Sequence, residues 1–293
     1  MKKKAFNGGT VADIILYFFL GLYALAIILP FYNMILLSVA SFEDAAQQGL
    51  YLIPRSFTLE NYRAIFADAQ IISAIGISVR NVVTGTAMAM LITIFASYVL
   101  SRKHLPGRKP LFYFVIFTMY FNAGLIPWYM VLQQIGFVNS VWVMTVPSIL
   151  SVFNMILMRN YFLSLPDSLE ESAKIDGAGE FTIMWKIIVP LSAPIMATVA
   201  LFYAVGFWNE WWHAMLFIQD ARLTPLALLL RRLVIENSID FGDGLAHAAR
   251  AVMVHTRSMQ LATIMVATVP ILCVYPFLQK YFTKGIMLGA IKA

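Results

Sequence analysis

The chain has 293 residues, of which 60% are hydrophobic and 12% charged, about half the ~25% charge of soluble domains. Its 21 basic and 15 acidic side chains are too few to coat a particle of 32.9 kDa, and the mean hydropathy is +0.77. These values argue against a soluble enzyme, a disordered chain and a secreted disulfide scaffold.

Five stretches carry no charge: residues 14–42, 81–101, 110–158, 187–209 and 258–279. About 20 apolar residues, rising about 1.5 Å each, cross the hydrocarbon of a bilayer. Four stretches therefore hold one helix each. The longest holds two, with a turn at the polar cluster 133–140. The fold class predicted is all-α integral membrane: one domain over 1–293, with spans at roughly 14–37, 78–101, 110–132, 140–159, 186–208 and 259–281. The first span follows Lys2, Lys3 and Lys4, but it exceeds the roughly 7–15 residue core of a signal peptide and no clean small-x-small site follows. It reads as a retained anchor.

Every lysine falls on the side of the N-terminus, whereas the opposite side carries only arginines. This asymmetry places both termini in the cytoplasm. Two external loops follow, 38–77 and 209–257, and one cytoplasmic loop, 160–186. In the first external loop Ser56, Thr58 and Glu60 are able to start a short helix. The second carries Trp211, Trp212, Arg231, Arg232 and the Asp240–Gly244 turn.

The uncharged stretches contain no Asp, Glu, Lys, Arg or His, each of which would cost about 3 kcal/mol at mid-membrane. That weighs against a proton-coupled transporter, a voltage sensor and an intramembrane protease. Pro127, Pro147, Pro190, Pro194 and Pro270 imply kinks and a cavity, with Asn122, Ser148, Asn154, Thr198 and Asn209 as its polar lining. A path without ion coupling is passive or is driven from outside. The chain has no G-x-x-x-x-G-K-[ST], no H-E-x-x-H around His213, His247 or His255, and no G-x-S-x-G. No catalytic residue, metal ligand or cofactor is assigned to it. Cys273, the one cysteine, excludes an intrachain disulfide and reads as apolar packing.

The cytoplasmic loop writes out a short helix. Ser168 and Glu171 have capping-box spacing, the first turn is acidic, and Gly177 suits a left-handed stop. A helix of about nine residues is marginal alone, since isolated helices need about 12–15. It either docks against a partner or lies on the membrane surface. Glu180 opens a second helix that runs through Pro190 and Pro194.

Glu171, Ser172, Ala173, Asp176, Gly177 and Ala178, followed by Ile188, Val189, Pro190 and Leu191, resemble the E-A-A-x-x-x-G and I-x-L-P loop of ATP-binding-cassette importer permeases. Ser172 replaces an alanine and Val189 a leucine, both mild departures. Residues 52–62, Arg80 with Asn81, and the lysine-bearing tail resemble the carbohydrate-uptake, maltose-type class, in particular its smaller permease subunit. The likeness covers about residues 12–292 and is strongest to permeases for complex oligosaccharides, acidic ones such as alginate fragments included.

The resemblance implies a type I importer core in a bacterial inner membrane. Its implied partners are a second permease, two cytoplasmic ATPases that hold ATP and Mg, and an extracytoplasmic solute-binding protein; no nucleic acid is implied. The six loop residues from Glu171 to Ala178 would then form an ATPase-coupling helix. Asp240, Gly242, Asp243 and Gly244 would touch the binding protein. Tyr129, Trp208 and Asn209, at the outer side, are candidates for the sugar path, with an interfacial aromatic belt as the alternative. Two other classes stay open on residues alone: a sensor or scaffold, and a membrane enzyme using Asp240 with Asp243.

Overall fold

The computed structural model describes residues 9–41, 44, 51–53, 56–236 and 259–273, and every regular element among them is helical. The chain divides into two compact units, Met1–Asp68 with Leu233–Val266, and Ala69–Arg232 with Ala267–Ala293.

In the first unit α1 (Gly9–Ser38) contains Pro30 and is apolar on every side from Ile14 to Tyr32, the pattern of a lipid-facing span. Its last turn is closed by side chains from beyond the loop. Asn61 Nδ2 donates to the carbonyls of Ser38 at 3.1 Å and Ala40 at 3.3 Å, and Ser38 Oγ meets the Tyr62 hydroxyl at 2.9 Å. Carbonyls left over at a helix end thereby gain donors. The short helix expected after Thr58 is α2 (Glu60–Ala67), with the Glu60 N–H on Thr58 Oγ1 at 3.1 Å.

The second unit is built on α3 (Ala69–Ser101), an unbroken helix of 33 residues. It begins nine residues before the span expected at 78, because a charge such as Arg80 limits burial in lipid without interrupting helix. Three expected spans are broken. The third is α4 (Arg108–Tyr120) and α5 (Leu125–Gln134), bent by 110°. Between them Asn122 Oδ1 accepts the Gly124 N–H at 2.8 Å, and Gly124 takes φ 88°, which a side chain would resist. The fourth begins as two 3-10 turns, Val141–Met144 and Val146–Ser148, around Pro147, and continues as α6 (Val152–Ser164) after a 45° bend. Gly136 and Asn139, both at positive φ, make the turn expected at 133–140.

The loop helix is α7 (Ser168–Ile175). After it comes α8 (Glu180–Leu191), with a π turn at Met184–Ile188. Pro190 has no N–H to give, and the ladder there shifts to Val189 N–H on Met184 O. The chain bends at Ser192 into α9 (Ala193–Trp208), the pair Glu180–Leu191 and Ala193–Phe217 turning through 84°. Then come α10 (Trp212–Phe217) and α11 (Leu226–Glu236). The last described helix is α12 (Met259–Cys273), the opening part of the sixth expected span; residues 274–281 lie outside the described residues. Among the described residues two helices are long and apolar enough to cross a membrane, and up to five spans result if each bent pair counts as one.

Helices α3, α6 and α9 pack into one core around Ala89, Ile94, Met158, Phe162, Val199 and Phe207. Tyr203 sits at the break before α6, where its hydroxyl accepts the Ser151 N–H at 2.9 Å and pairs with Thr93 at 2.7 Å. One side chain thus joins three helices and satisfies a backbone donor that the break releases. At Gly85 a Cβ would stand 2.8 Å from the Phe207 ring. Gly85→Leu is therefore expected to overpack the α3–α9 contact by about 1–3 kcal/mol. It should lower the thermal midpoint of the detergent-solubilised protein, with Gly85→Ala in between.

Candidate functional site

The loop helix α7 starts differently from its sequence pattern. Ser168 already lies inside the helix, so the capping box with Glu171 is not made. Asp167 stands at the N-cap in a helical conformation; its carbonyl accepts the Glu170 and Glu171 N–H groups at 3.0 and 3.1 Å. Its carboxylate turns away, to Lys103 Nζ at 2.5 Å, and that hydrogen bond holds the Asp167 carboxyl below the usual range. The acidic first turn and Lys174 in the last still complement the helix dipole.

The C-terminal end follows expectation. Gly177 has φ 80°, its N–H bonds Lys174 O at 3.0 Å, and the Ala178 N–H bonds Ala173 O at 2.9 Å. This paired pattern is the Schellman motif, which glycine enters without steric cost.

Of the six residues singled out in this loop, Ala173 is buried in the core, Ala178 half-buried, and Glu171, Ser172, Asp176 and Gly177 exposed. Two apolar side chains accompany the exposed set, Ile175 at 86% and Phe181 at 66% exposure. A short acidic helix tipped with bare aliphatic and aromatic groups has the chemistry of a docking surface.

The inner side of α7 faces the end of α3 and is charged. Arg102 pairs with Glu170, the two side chains only 16% and 21% exposed, and its guanidinium lies 4.2 Å from the centre of the Tyr98 ring. The Tyr98 hydroxyl donates to Glu180 Oε2 at 2.6 Å, and Glu180 Oε1 meets Lys174 Nζ at 2.8 Å. Exposed pairs such as Lys174–Glu180 contribute about 0–1 kcal/mol each; the more enclosed Arg102 pair is screened less. A cavity of about 460 Å³ opens beside these groups, bordered by Tyr98, Arg102, His104, Asp167 and Lys174. Among the described residues no three His, Cys, Asp or Glu side chains are grouped to hold a metal ion.

The three candidate path residues occupy different settings. Tyr129 stacks on Phe217, ring centres 4.8 Å apart. Trp208 Nε1 donates to Ala267 O at 3.0 Å, and its ring walls a wholly apolar cavity of about 210 Å³ with Val79, Val83, Leu201 and Ile271. Asn209, just past the end of α9, is exposed and donates back to Val205 O at 2.9 Å. Asp240, Gly242, Asp243 and Gly244 lie outside the described residues. Sequence reasoning missed Tyr98, Arg102 and Tyr203. The first two stand four apart at the end of a long helix, a spacing that puts them on one face but does not name their partners.

Apolar, repeatedly broken helices joined by a loop that presents a short helix fit a membrane-integral transport permease. The chain belongs to the family of binding-protein-dependent transport system inner membrane components, whose model matches residues 8–288. It is 41% identical over 280 residues to the polygalacturonan/rhamnogalacturonan transport system permease protein YtcP of Bacillus subtilis, covering 96% of this chain and 98% of that one. It is 40% identical to protein LplC of the same organism, covering 98% and 96%. A crystal structure of a bacterial ABC transporter involved in import of the acidic polysaccharide alginate contains a chain that superposes with a TM-score of 0.87. That chain is 27% identical, and the match covers 96% of this chain and all of that one.

The setting of Trp208 gives a stability prediction. Trp208→Ala enlarges an apolar cavity and frees the Ala267 carbonyl, an expected loss of about 3–5 kcal/mol. Asn209→Ala removes one exposed bond and should cost less than about 1 kcal/mol. Thermal denaturation in detergent checks both.

Proposed function

We propose that this chain is one permease subunit of an ATP-driven importer for acidic oligosaccharides. The observation that carries the reading is the loop helix: an eight-residue element closed by Gly177, showing Ile175 and Phe181 outward, in a member of this transport family. The substrate class rests on relatives whose names specify polygalacturonan, rhamnogalacturonan and alginate, all acidic polymers.

In this reading the chain crosses a bacterial inner membrane six times with both termini in the cytoplasm, as the lysine distribution favours. A second, related permease completes the path. Two cytoplasmic ATPases supply ATP hydrolysis with Mg, and the chain holds no nucleotide itself. A solute-binding protein delivers sugar from outside and meets the loop around Asp240, Gly242, Asp243 and Gly244. Glu171, Ser172, Ala173, Asp176, Gly177 and Ala178 form the coupling helix that enters an ATPase cleft. Tyr129, Trp208 and Asn209 stand toward the sugar path, and of these Asn209 is the most open.

The test is the complete complex in proteoliposomes, with binding protein and oligosaccharides of polygalacturonate, alginate or neutral maltodextrin. Acidic sugars are expected to stimulate ATP hydrolysis several-fold over the neutral control. Hydrolysis indifferent to every sugar would overturn the reading.

Gly177→Val forces a β-branched residue into positive φ, roughly 1–2 kcal/mol of local strain, and displaces α7. Glu171→Lys puts a positive charge at the positive end of the helix. Both variants are expected to reach the membrane with the partner permease and to lose sugar-stimulated hydrolysis and uptake. Normal values in Gly177→Val would leave α7 a mere surface helix.

A further inference from the structure

Resting on that coupling reading, we infer that Arg102 and Tyr98 are positioning residues that make α3 a second lever, so that motion at α7 enters the membrane through α3 as well as α8. The geometry is a closed circuit. Glu170 and Lys174 stand four residues apart and so share one face of α7. Glu170 binds Arg102; Arg102 lies on the Tyr98 ring; the Tyr98 hydroxyl reaches Glu180; and Glu180 returns to Lys174. Five side chains leave α7, pass through the end of α3 and the first residue of α8, and come back one turn further along α7. The Lys103–Asp167 pair anchors the N-cap to the same end of α3. A single tether would let α7 pivot, whereas contacts at its start, middle and end fix its direction.

Packing alone does not fix that direction. Within α7 only Ala173 is buried, and the link to α8 is the exposed turn at Gly177. The two routes inward also differ in stiffness. The path along α8 crosses the π turn at Met184–Ile188 and the bend at Ser192 before it reaches α9. The path along α3 is one helix from Ser101 to Ala69, packed against both α6 and α9. Unbroken helix transmits a push with less loss than a jointed one, so clamping α7 to α3 gives the loop a direct purchase on the core.

The experiment uses the complete complex in proteoliposomes and reads sugar molecules imported per ATP hydrolysed. Arg102→Glu is expected to lower that ratio roughly fivefold, and Arg102→Glu with Glu170→Arg to recover about half of it. A wild-type ratio in the single variant, or no recovery in the swap, would overturn the proposal. Should Arg102→Glu not assemble, Tyr98→Phe removes only the hydroxyl on Glu180 and should lower the ratio roughly twofold; an unchanged ratio counts against the circuit.

A second arm asks whether the two helices move together. Lys103→Cys with Asp167→Cys, in a Cys273→Ser background because Cys273 is exposed, is bridged by a short reducible cross-linker. Transport should persist while bridged. Loss of transport that reductant reverses means the two ends must separate, and the lever fails. Gly177→Val keeps the readings apart: a normal ratio there refutes coupling itself, whereas uncoupling there beside a normal Arg102→Glu refutes only the circuit.

Discussion

Hydrocarbon offers no hydrogen-bond partner, so each backbone group released inside it must be met by the protein itself. The rest of this structure follows from how that demand is handled. Where the chain is continuous, as in α1 and α3, the helix meets it alone. At two of the breaks a polar side chain serves a released N–H, Asn122 that of Gly124 and Tyr203 that of Ser151, and at the turn before Val141 Asn139 takes the N–H groups of Gln219 and Asp220 at 3.2 and 3.0 Å. These residues are uncharged, so they serve the backbone without the cost of an ion at depth. A permease needs breaks to shape a path, and here the break at Ser151 is also a point where three helices are tied together.

The loop between α6 and α8 lives under the opposite solvent. In water a helix of eight residues loses to solvation, and α7 answers with a Schellman stop, one buried alanine and charge. Its outer surface is left free of those duties. Acidic groups and bare apolar tips can therefore face a partner, while the opposite side is given over to Arg102 and Lys103.

Much of this was legible in the amino-acid sequence because the governing signals are local. Absence of charge pointed to an all-helical chain, Gln133 to Ser140 marked the turn that Gly136 and Asn139 make, and Gly177 marked the end of α7. The failures are of another kind. Ser168 and Glu171 have the spacing of a capping box, yet the helix starts at Ser168 itself; the N-cap is Asp167, and its carboxylate is drawn to Lys103, 64 residues away. The start of α3 was missed because charge density reports on lipid, not on helix. The Tyr98–Glu180 contact, 82 residues apart, and the pairing of Trp208 with Ala267, 59 apart, depend on how the helices assemble. No pattern along the chain encodes them.

The π turn at Met184–Ile188 has a bearing on how this segment tolerates change in length. A π turn holds one residue more than the regular helix, and each α-helical residue advances the facing direction by about 100°. Removing a residue there would let the ladder relax into ordinary helix with both flanks still facing much as they do now, because the widened turn already absorbs the extra residue. A residue removed from the regular part of α8 would instead turn Glu180 about 100° off Tyr98 while α9 kept its place in the core. The count of residues between Glu180 and Ser192 is thus constrained outside Met184–Ile188, and a one-residue deletion in this segment belongs in the π turn.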